Sequence, residues 1–320
     1  MKWVLRILGV LVALLVIAFL FFRTPDTDAT EMRAKYGGEP SQFVELSNGL
    51  TVHLRDEGAR DGMPIILLHG SNADLHTWEP WVEALKADYR VIRYDQRGHG
   101  LTGAAPDEDY TLASFTKDVG LVADALGVEE FILGGNSMGG WISAGYALEH
   151  SDRLAGLVLV DASGAPIERD GPPPLGFRIA QTPVLRDVAR HFMPRSIFER
   201  SLSQSVSNQD IVTDAEIDRY WELARLPGNR QATMQRFATP RVVYSEEQIE
   251  ALEVPTLVMW GEEDALIPLA AGEWYAQHLP NNIFVAYPEI GHIPQQEHAA
   301  QSFDDLRQWI EQLMPAEPEG

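Results

Sequence analysis

Gly135-Asn136-Ser137-Met138-Gly139 sets a serine between two glycines where a short apolar run gives way to a helical one. Glu130 to Gly134 (EFILG) reads as a buried strand, and Trp141 to His150 reads as a helix. A serine on so sharp a strand-to-helix turn is held in a strained backbone conformation that pushes its hydroxyl out of the sheet. Side chains at positions 135 and 139 would clash there, so glycine is needed at both for strand and helix to approach. Five residues alone also describe a glycine-rich turn holding an ordinary serine, and the rest of the chain decides between the two.

Outward from this turn the grammar is strand, helix, strand. Pro64 to Leu68, Tyr89 to Tyr94, Glu130 to Gly134 and Leu154 to Val160 are apolar runs without alternation, as strands covered on both faces are. Trp78 to Asp88, Leu112 to Leu126 and Gly139 to His150 lie between them with helical spacing, which predicts right-handed crossovers and a parallel sheet. Upstream, Phe43 to Leu46 and Thr51 to Glu57 flank Ser47-Asn48-Gly49 as an antiparallel hairpin. Downstream, the next strand-like run is Thr256 to Trp260 (TLVMW), roughly 95 residues beyond Val160 and far past a normal crossover. That gap holds Pro172-Pro173-Pro174 and helical segments near Pro183 to Phe192, Ile197 to Val206, Asp214 to Leu226 and Arg230 to Phe237, so it is expected to be a helical cap over the sheet edge. Helix Ala270 to Leu279, strand Ile283 to Tyr287 and helix Gln301 to Leu313 then resume the main pattern.

The amino terminus is of another kind. Trp3 to Phe22 carries one charge, Arg6, and as a helix at about 1.5 Å per residue it spans roughly 30 Å, the thickness of a bilayer core. Lys2 and Arg6 stand at its start, whereas only Arg23 follows before Asp26 and Asp28, which predicts a cytoplasmic amino terminus and an extracytoplasmic remainder. A cleaved signal peptide competes through the weak small-x-small site at Thr27 and Ala29, but the apolar run is long for that role. The expected organisation is a transmembrane anchor at 1–23, a linker at 24–40, a core at 41–162 and 252–314, the cap at 163–251 and a flexible tail at 315–320.

The 320 residues include 25 basic and 47 acidic side chains, a net charge of −22 that opposes phosphate backbones and argues against nucleic-acid binding. Absence of cysteine removes disulfides, thiolate metal sites and a cysteine nucleophile. No His, Asp and Glu spacing suggests a metal, and the glycine-rich turn lacks the lysine of a phosphate loop, so no cofactor is expected.

Serine needs a base to take its proton and a third group to orient that base. Both should lie at the carboxyl ends of strands, where an open parallel sheet places its ligand site. His292 follows the last predicted strand in Glu289-Ile290-Gly291-His292, and Asp264 follows TLVMW in Gly261-Glu262-Glu263-Asp264. The order Ser137, Asp264, His292 belongs to one serine-hydrolase architecture. Asp161, after the preceding strand, is a rival acid, and Glu262 and Glu263 are minor ones. His69, His99 and Asp95 fit structural roles in their own turns better than proton transfer.

With HGSN at His69 to Asn72, DQRGHG at Asp95 to Gly100, GNSMG at Gly135 to Gly139, GEEDALIP at Gly261 to Pro268 and GHIPQQEH at Gly291 to His298, the chain resembles the α/β-hydrolase family over about residues 43 to 313. The resemblance implies an α/β-hydrolase fold, with a mostly parallel eight-stranded sheet, flanking helices and a helical cap. It also implies an oxyanion hole from the backbone N–H groups of Ser71 and Met138, with Gly70 allowing the loop to approach the substrate and Asn136 as a further substrate contact. Serine at position 137 departs from the dehalogenase and epoxide hydrolase branches, which use aspartate there. The expected activity is hydrolysis of a small carboxylic ester through an acyl-enzyme. A carbon–carbon hydrolase of ring-fission products is the second reading, in which Asn136 and Arg190 or Arg195 would hold a dienoate carboxylate. Ile293 departs from that group, which often has tryptophan after the histidine. A non-catalytic binding protein on the same scaffold is a remote third. Phe177, Phe192, Phe198, Trp221 and Phe237 are cap residues that suit either the cap's own core or a pocket lining. Oligomeric state is not legible.

Overall fold

The computed structural model describes residues 2–167 and 175–313; Pro172 to Pro174, the tail and the side chain of Phe177 lie outside the described residues. Eight strands form one sheet: β1 (Ser41–Glu45), β2 (Thr51–Gly58), β3 (Pro64–Leu68), β4 (Arg90–Tyr94), β5 (Phe131–Asn136), β6 (Leu154–Val160), β7 (Thr256–Gly261) and β8 (Asn282–Tyr287). Their order is β1-β2-β4-β3-β5-β6-β7-β8, antiparallel across β1, β2 and β4 and parallel from β4 onward.

Alternate residues of the central strands divide between two apolar layers. Ile66, Leu68 and Leu133 belong to one cluster, whereas Ile65, Leu67 and Ile132 belong to the other. Both faces are therefore covered, which is why these strands read as unbroken apolar runs. The covering helices of the core are α3 (Glu79–Leu85), α4 (Leu112–Ala125), α5 (Met138–His150), α12 (Leu269–His278), α13 (Pro294–Glu297) and α14 (Ala299–Leu313). Register aligns the strand ends: Leu68 lies opposite Gly135, Asn136 opposite Val160, Val160 opposite Met259 and Gly261 opposite Tyr287. The loops carrying positions 70, 137, 161, 264 and 292 therefore leave the same edge of the sheet.

Between β6 and β7 the cap comprises α6 (Leu175–Ala180), α7 (Pro183–Ala189), α8 (Arg195–Ser205), α9 (Asp214–Ala224), α10 (Asn229–Ala238) and α11 (Glu246–Glu250). It has its own apolar cluster of Phe198, Leu202, Val206 and Ile217, which Ile293 joins from the core side. Two short cap helices, α6 and α11, exceed the sequence expectation.

Among the described residues one helix, α1 (Lys2–Phe22), is long and apolar enough to cross a membrane, and its apolar stretch is not buried within the protein. The segment expected as a linker at 24–40 contains α2 (Ala29–Tyr36), with Asp28 capping its start by accepting from Glu31 N at 2.9 Å. That segment is fastened to the cap. Thr24 N donates to His191 O at 2.8 Å, Thr27 N to Arg225 O at 3.1 Å, and Arg230 pairs with Asp26. Phe19, near the end of α1, makes edge contacts with His191 and Phe192 at 5.5 and 5.6 Å between ring centres.

Candidate active site

Ser137 sits between β5 and α5 at φ 56° and ψ −114°, a region that a non-glycine residue occupies only under constraint. The constraint is visible in its hydrogen bonds. Its N–H donates to Val160 O at 2.9 Å, and its carbonyl accepts from Trp141 N and Ser163 N, each at 3.1 Å. A Cβ on Gly135 would stand 2.2 Å from Gly139 C, and one on Gly139 would stand 2.1 Å from Leu68 O. The two glycines are thus required by close packing of the turn on itself and on β3.

His292, 5 % exposed, bonds through Nδ1 to Asp264 Oδ2 at 2.6 Å. The other oxygen of Asp264 accepts from Leu266 N at 2.7 Å and Ile267 N at 3.0 Å, which fixes the carboxylate plane. With an acceptor at Nδ1 the imidazole carries its proton there and presents a lone pair at Nε2. The backbone around His292 is held from two sides: its N–H donates to Ser205 O of the cap at 2.7 Å, and Asn136 Nδ2 donates to its carbonyl at 3.0 Å. The residue next to the serine thereby ties down the loop of the histidine.

Asp161, the rival acid, lies in the same cluster, its carboxylate within 4.8 Å of ligand atoms of Asp264 and His292. Its φ is 44°, one oxygen accepts from Gly261 N at 3.0 Å, and the other is buried without a partner. Burial and then the charge of Asp264 push this carboxyl well above the usual carboxylate range. The histidine's bond is to Asp264. Of the minor acids, Glu263 accepts from Ser207 Oγ at 2.6 Å, and neither Glu262 nor Glu263 is bonded to His292.

The loop after β3 lies against the serine, since a Cβ on Gly70 would be 3.3 Å from Ser137 Cβ. Among the described residues, neither Ser71 N–H nor Met138 N–H is spent on a protein acceptor. Asn136, expected to contact substrate, has its amide hydrogens engaged by Val160 O at 3.2 Å and His292 O. It is a tie between loops. Arg190 and Arg195 are likewise occupied within the cap, Arg190 by Gln231 Oε1 at 2.9 Å and Arg195 by Asp218 and Asp214 at 2.6 Å each.

Sequence reasoning missed Arg236. From α10 it reaches the core, donating to Ser71 Oγ at 3.1 Å and Asn72 Oδ1 at 2.7 Å and to His99 Nε2. Burial and then the charge of Arg241 pull its guanidinium down to about 9, so it stays charged at neutral pH. His99 and His69, by contrast, are buried and held below the ordinary imidazole range, His99 also by Arg236. Each has a ring nitrogen committed to a backbone carbonyl, which fits the structural roles expected of them. Asp95 orders its turn by accepting from Leu75 N and Leu101 N.

The comparisons with known proteins agree with this geometry at the level of fold and hydrolase activity. A 2-hydroxymuconate semialdehyde hydrolase of Pseudomonas putida is 29 % identical over 264 residues, covering 79 % of this chain and 88 % of that one. The solved esterase of Thermogutta terrifontis is 27 % identical with a TM-score of 0.71 over 85 % of this chain and 98 % of that one. A structure described as a membrane phospholipase A, at 24 % identity and a TM-score of 0.73, covers 99 % of this chain and 100 % of that one, which shows a shared fold. Relatives named as hydrolases of 2-hydroxy-6-oxo-dienoates recur among the sequence matches. A family model for the alpha/beta hydrolase fold matches residues 63–299, most of the chain. The protein therefore belongs to the α/β-hydrolase family.

Proposed function

We propose that the chain is a membrane-tethered serine hydrolase that cleaves carboxylic esters through an acyl-enzyme on Ser137. The observation that carries this reading is the strained Ser137 beside a histidine whose proton is pinned on Nδ1 by Asp264. Ser137 Oγ attacks the ester carbonyl while His292 Nε2 takes its proton, and Ser71 and Met138 N–H groups stabilise the resulting oxyanion. The imidazolium returns that proton to the departing alcohol. Water, deprotonated by the same nitrogen, then releases the acid and restores the serine.

Carbon–carbon cleavage is the second reading, and the names of the sequence relatives lean toward it. Two features support the ester reading over it. Ile293 follows the histidine and is packed in the cap cluster, and the full-length match that includes the amino-terminal helix is to a protein described as a membrane phospholipase. The positive charges at the start of α1 support an extracytoplasmic catalytic domain.

The test uses the full chain in detergent. A fluorophosphonate probe should label wild type and not Ser137→Ala, and short-chain 4-nitrophenyl esters should be turned over. Absence of labelling in folded protein sinks the serine hydrolase. Turnover of a 2-hydroxy-6-oxo-dienoate, with none of any ester, hands the case to the second reading.

A further inference from the structure

Among the described residues, Arg236 has no carboxylate partner. Its residue is 8 % exposed, and among the described residues no salt bridge reaches it; its partners are a hydroxyl, an amide oxygen and an imidazole. Nε is buried without a hydrogen-bond partner. Burying a guanidinium against neutral groups alone is costly, and leaving a donor unmade adds to that cost. A clamp between cap and core needs neither the charge nor the spare donor, because a neutral amide would serve Ser71 and Asn72 as well.

The location says what the charge is for. Arg236 lines a recess whose wall includes Met138, the expected oxyanion donor, together with Tyr110, Trp141, Phe237 and Arg241. The same guanidinium holds Ser71, the other expected donor. A second cationic side chain, Arg241, is close enough to depress the titration of the first. Among the described residues, the aromatic and thioether walls of the recess, a guanidinium with no carboxylate partner and the unspent Met138 N–H lie side by side, a setting that favours a negatively charged group.

We infer that Arg236 anchors an anion subsite beside the scissile carbonyl, and that the preferred substrate carries a carboxylate or phosphate a few bonds from the ester. The inference rests on Ser137 as nucleophile. It differs from the expectation for Arg190 and Arg195: Arg195 is spent on Asp214 and Asp218, and Arg190 is bonded to Gln231 and does not line this recess.

The test is a pair of matched comparisons by kcat/KM, with active sites counted by fluorophosphonate labelling. One arm sets mono-4-nitrophenyl glutarate against its neutral methyl ester, and the other sets dibutyrylglycerol phosphate against dibutyrylglycerol. At least one arm should favour its anionic member by about tenfold or more, and Arg236→Gln should lower that preference by a similar factor, as expected for a charge-assisted contact. The arm that responds identifies the anion as carboxylate or phosphate. Arg236→Lys, which keeps a charge but not the fork, should lower the preference less, and it replaces the Gln variant if that one fails to fold. Equal turnover within both pairs, or a preference that survives Arg236→Gln, overturns the subsite. In either of those cases labelling and neutral-ester turnover still stand for the serine hydrolase, whereas loss of labelling in wild type defeats the underlying reading instead.

Discussion

Asp264→Asn is expected to remove nearly all turnover while leaving the fold in place. The two oxygens of the carboxylate are held by different partners. Oδ1 accepts from Leu266 N and Ile267 N, so an asparagine at this position keeps its oxygen there; turning the NH2 group toward two donors would lose both bonds and oppose like dipoles. The NH2 group then faces His292 Nδ1, which must accept, and the imidazole proton moves to Nε2. That nitrogen no longer has a lone pair for the proton of Ser137. A wrong-tautomer histidine costs on the order of 10⁴ in kcat, about 5.5 kcal/mol of barrier. Asp161→Asn is the control. Its oxygen can still accept from Gly261 N, and burial beside Asp264 favours an uncharged group at this position, which asparagine supplies, so kcat should change by less than about tenfold. Single-turnover acylation with a 4-nitrophenyl ester, normalised to folded protein by circular dichroism, reads both. If Asp161→Asn is the crippling change and Asp264→Asn retains more than a tenth of the rate, the assignment of the acid is refuted.

Asp161 also predicts a pH dependence of stability. Its folded pKa is raised, so its stabilisation is full below the unfolded value near 4 and is lost as pH rises toward the folded value. Asp161→Asn should therefore gain stability relative to wild type as pH rises from 4 to 7 in urea titrations, and a difference that is flat over that range counts against a raised Asp161. Gly139→Ala should lower stability by about 1–3 kcal/mol and abolish labelling of Ser137, because the new methyl would stand 2.1 Å from Leu68 O; an unchanged melting curve would show that the turn can relax. For the anchor, the full chain should stay with membranes through alkaline carbonate extraction, whereas a chain beginning at Pro25 should be released; extraction of the full chain would remove the tether.

How much of this was legible in the sequence depended on whether a signal was local. Strands covered on both faces advertise themselves as apolar runs, and Gly135 is forced by its close neighbour Gly139, while Gly139 itself meets Leu68 on β3, so the sheet and the turn at Ser137 were readable. The bond between His292 and Asp264 was reachable because strand ends are brought together by parallel topology. The tie that Asn136 makes between loops was not readable because its partners lie 24 and 156 positions away. Arg236 was invisible for the same reason, since nothing in Met234-Gln235-Arg236 marks it apart from the other cap arginines. Helix α11 did carry a signal: Ser245 and Gln248 form a capping box, a serine followed three places later by glutamine. Helix α2 had only the weaker sign of Asp28 before it, and its one buried residue, Met32, leaves no apolar stripe.

The bonds of Thr24, Asp26 and Thr27 reach His191, Arg230 and Arg225 of the cap before the chain turns toward the sheet. A pull on the amino-terminal helix is consequently delivered to the cap first, and only later, through Arg33 stacked on Phe43, to β1. In a tethered molecule the cap becomes the stationary part. Opening the site then amounts to the heavier catalytic body swinging away from a lid moored at the surface, so drag and crowding on that body, as well as the lid's own looseness, would govern how quickly substrate is admitted.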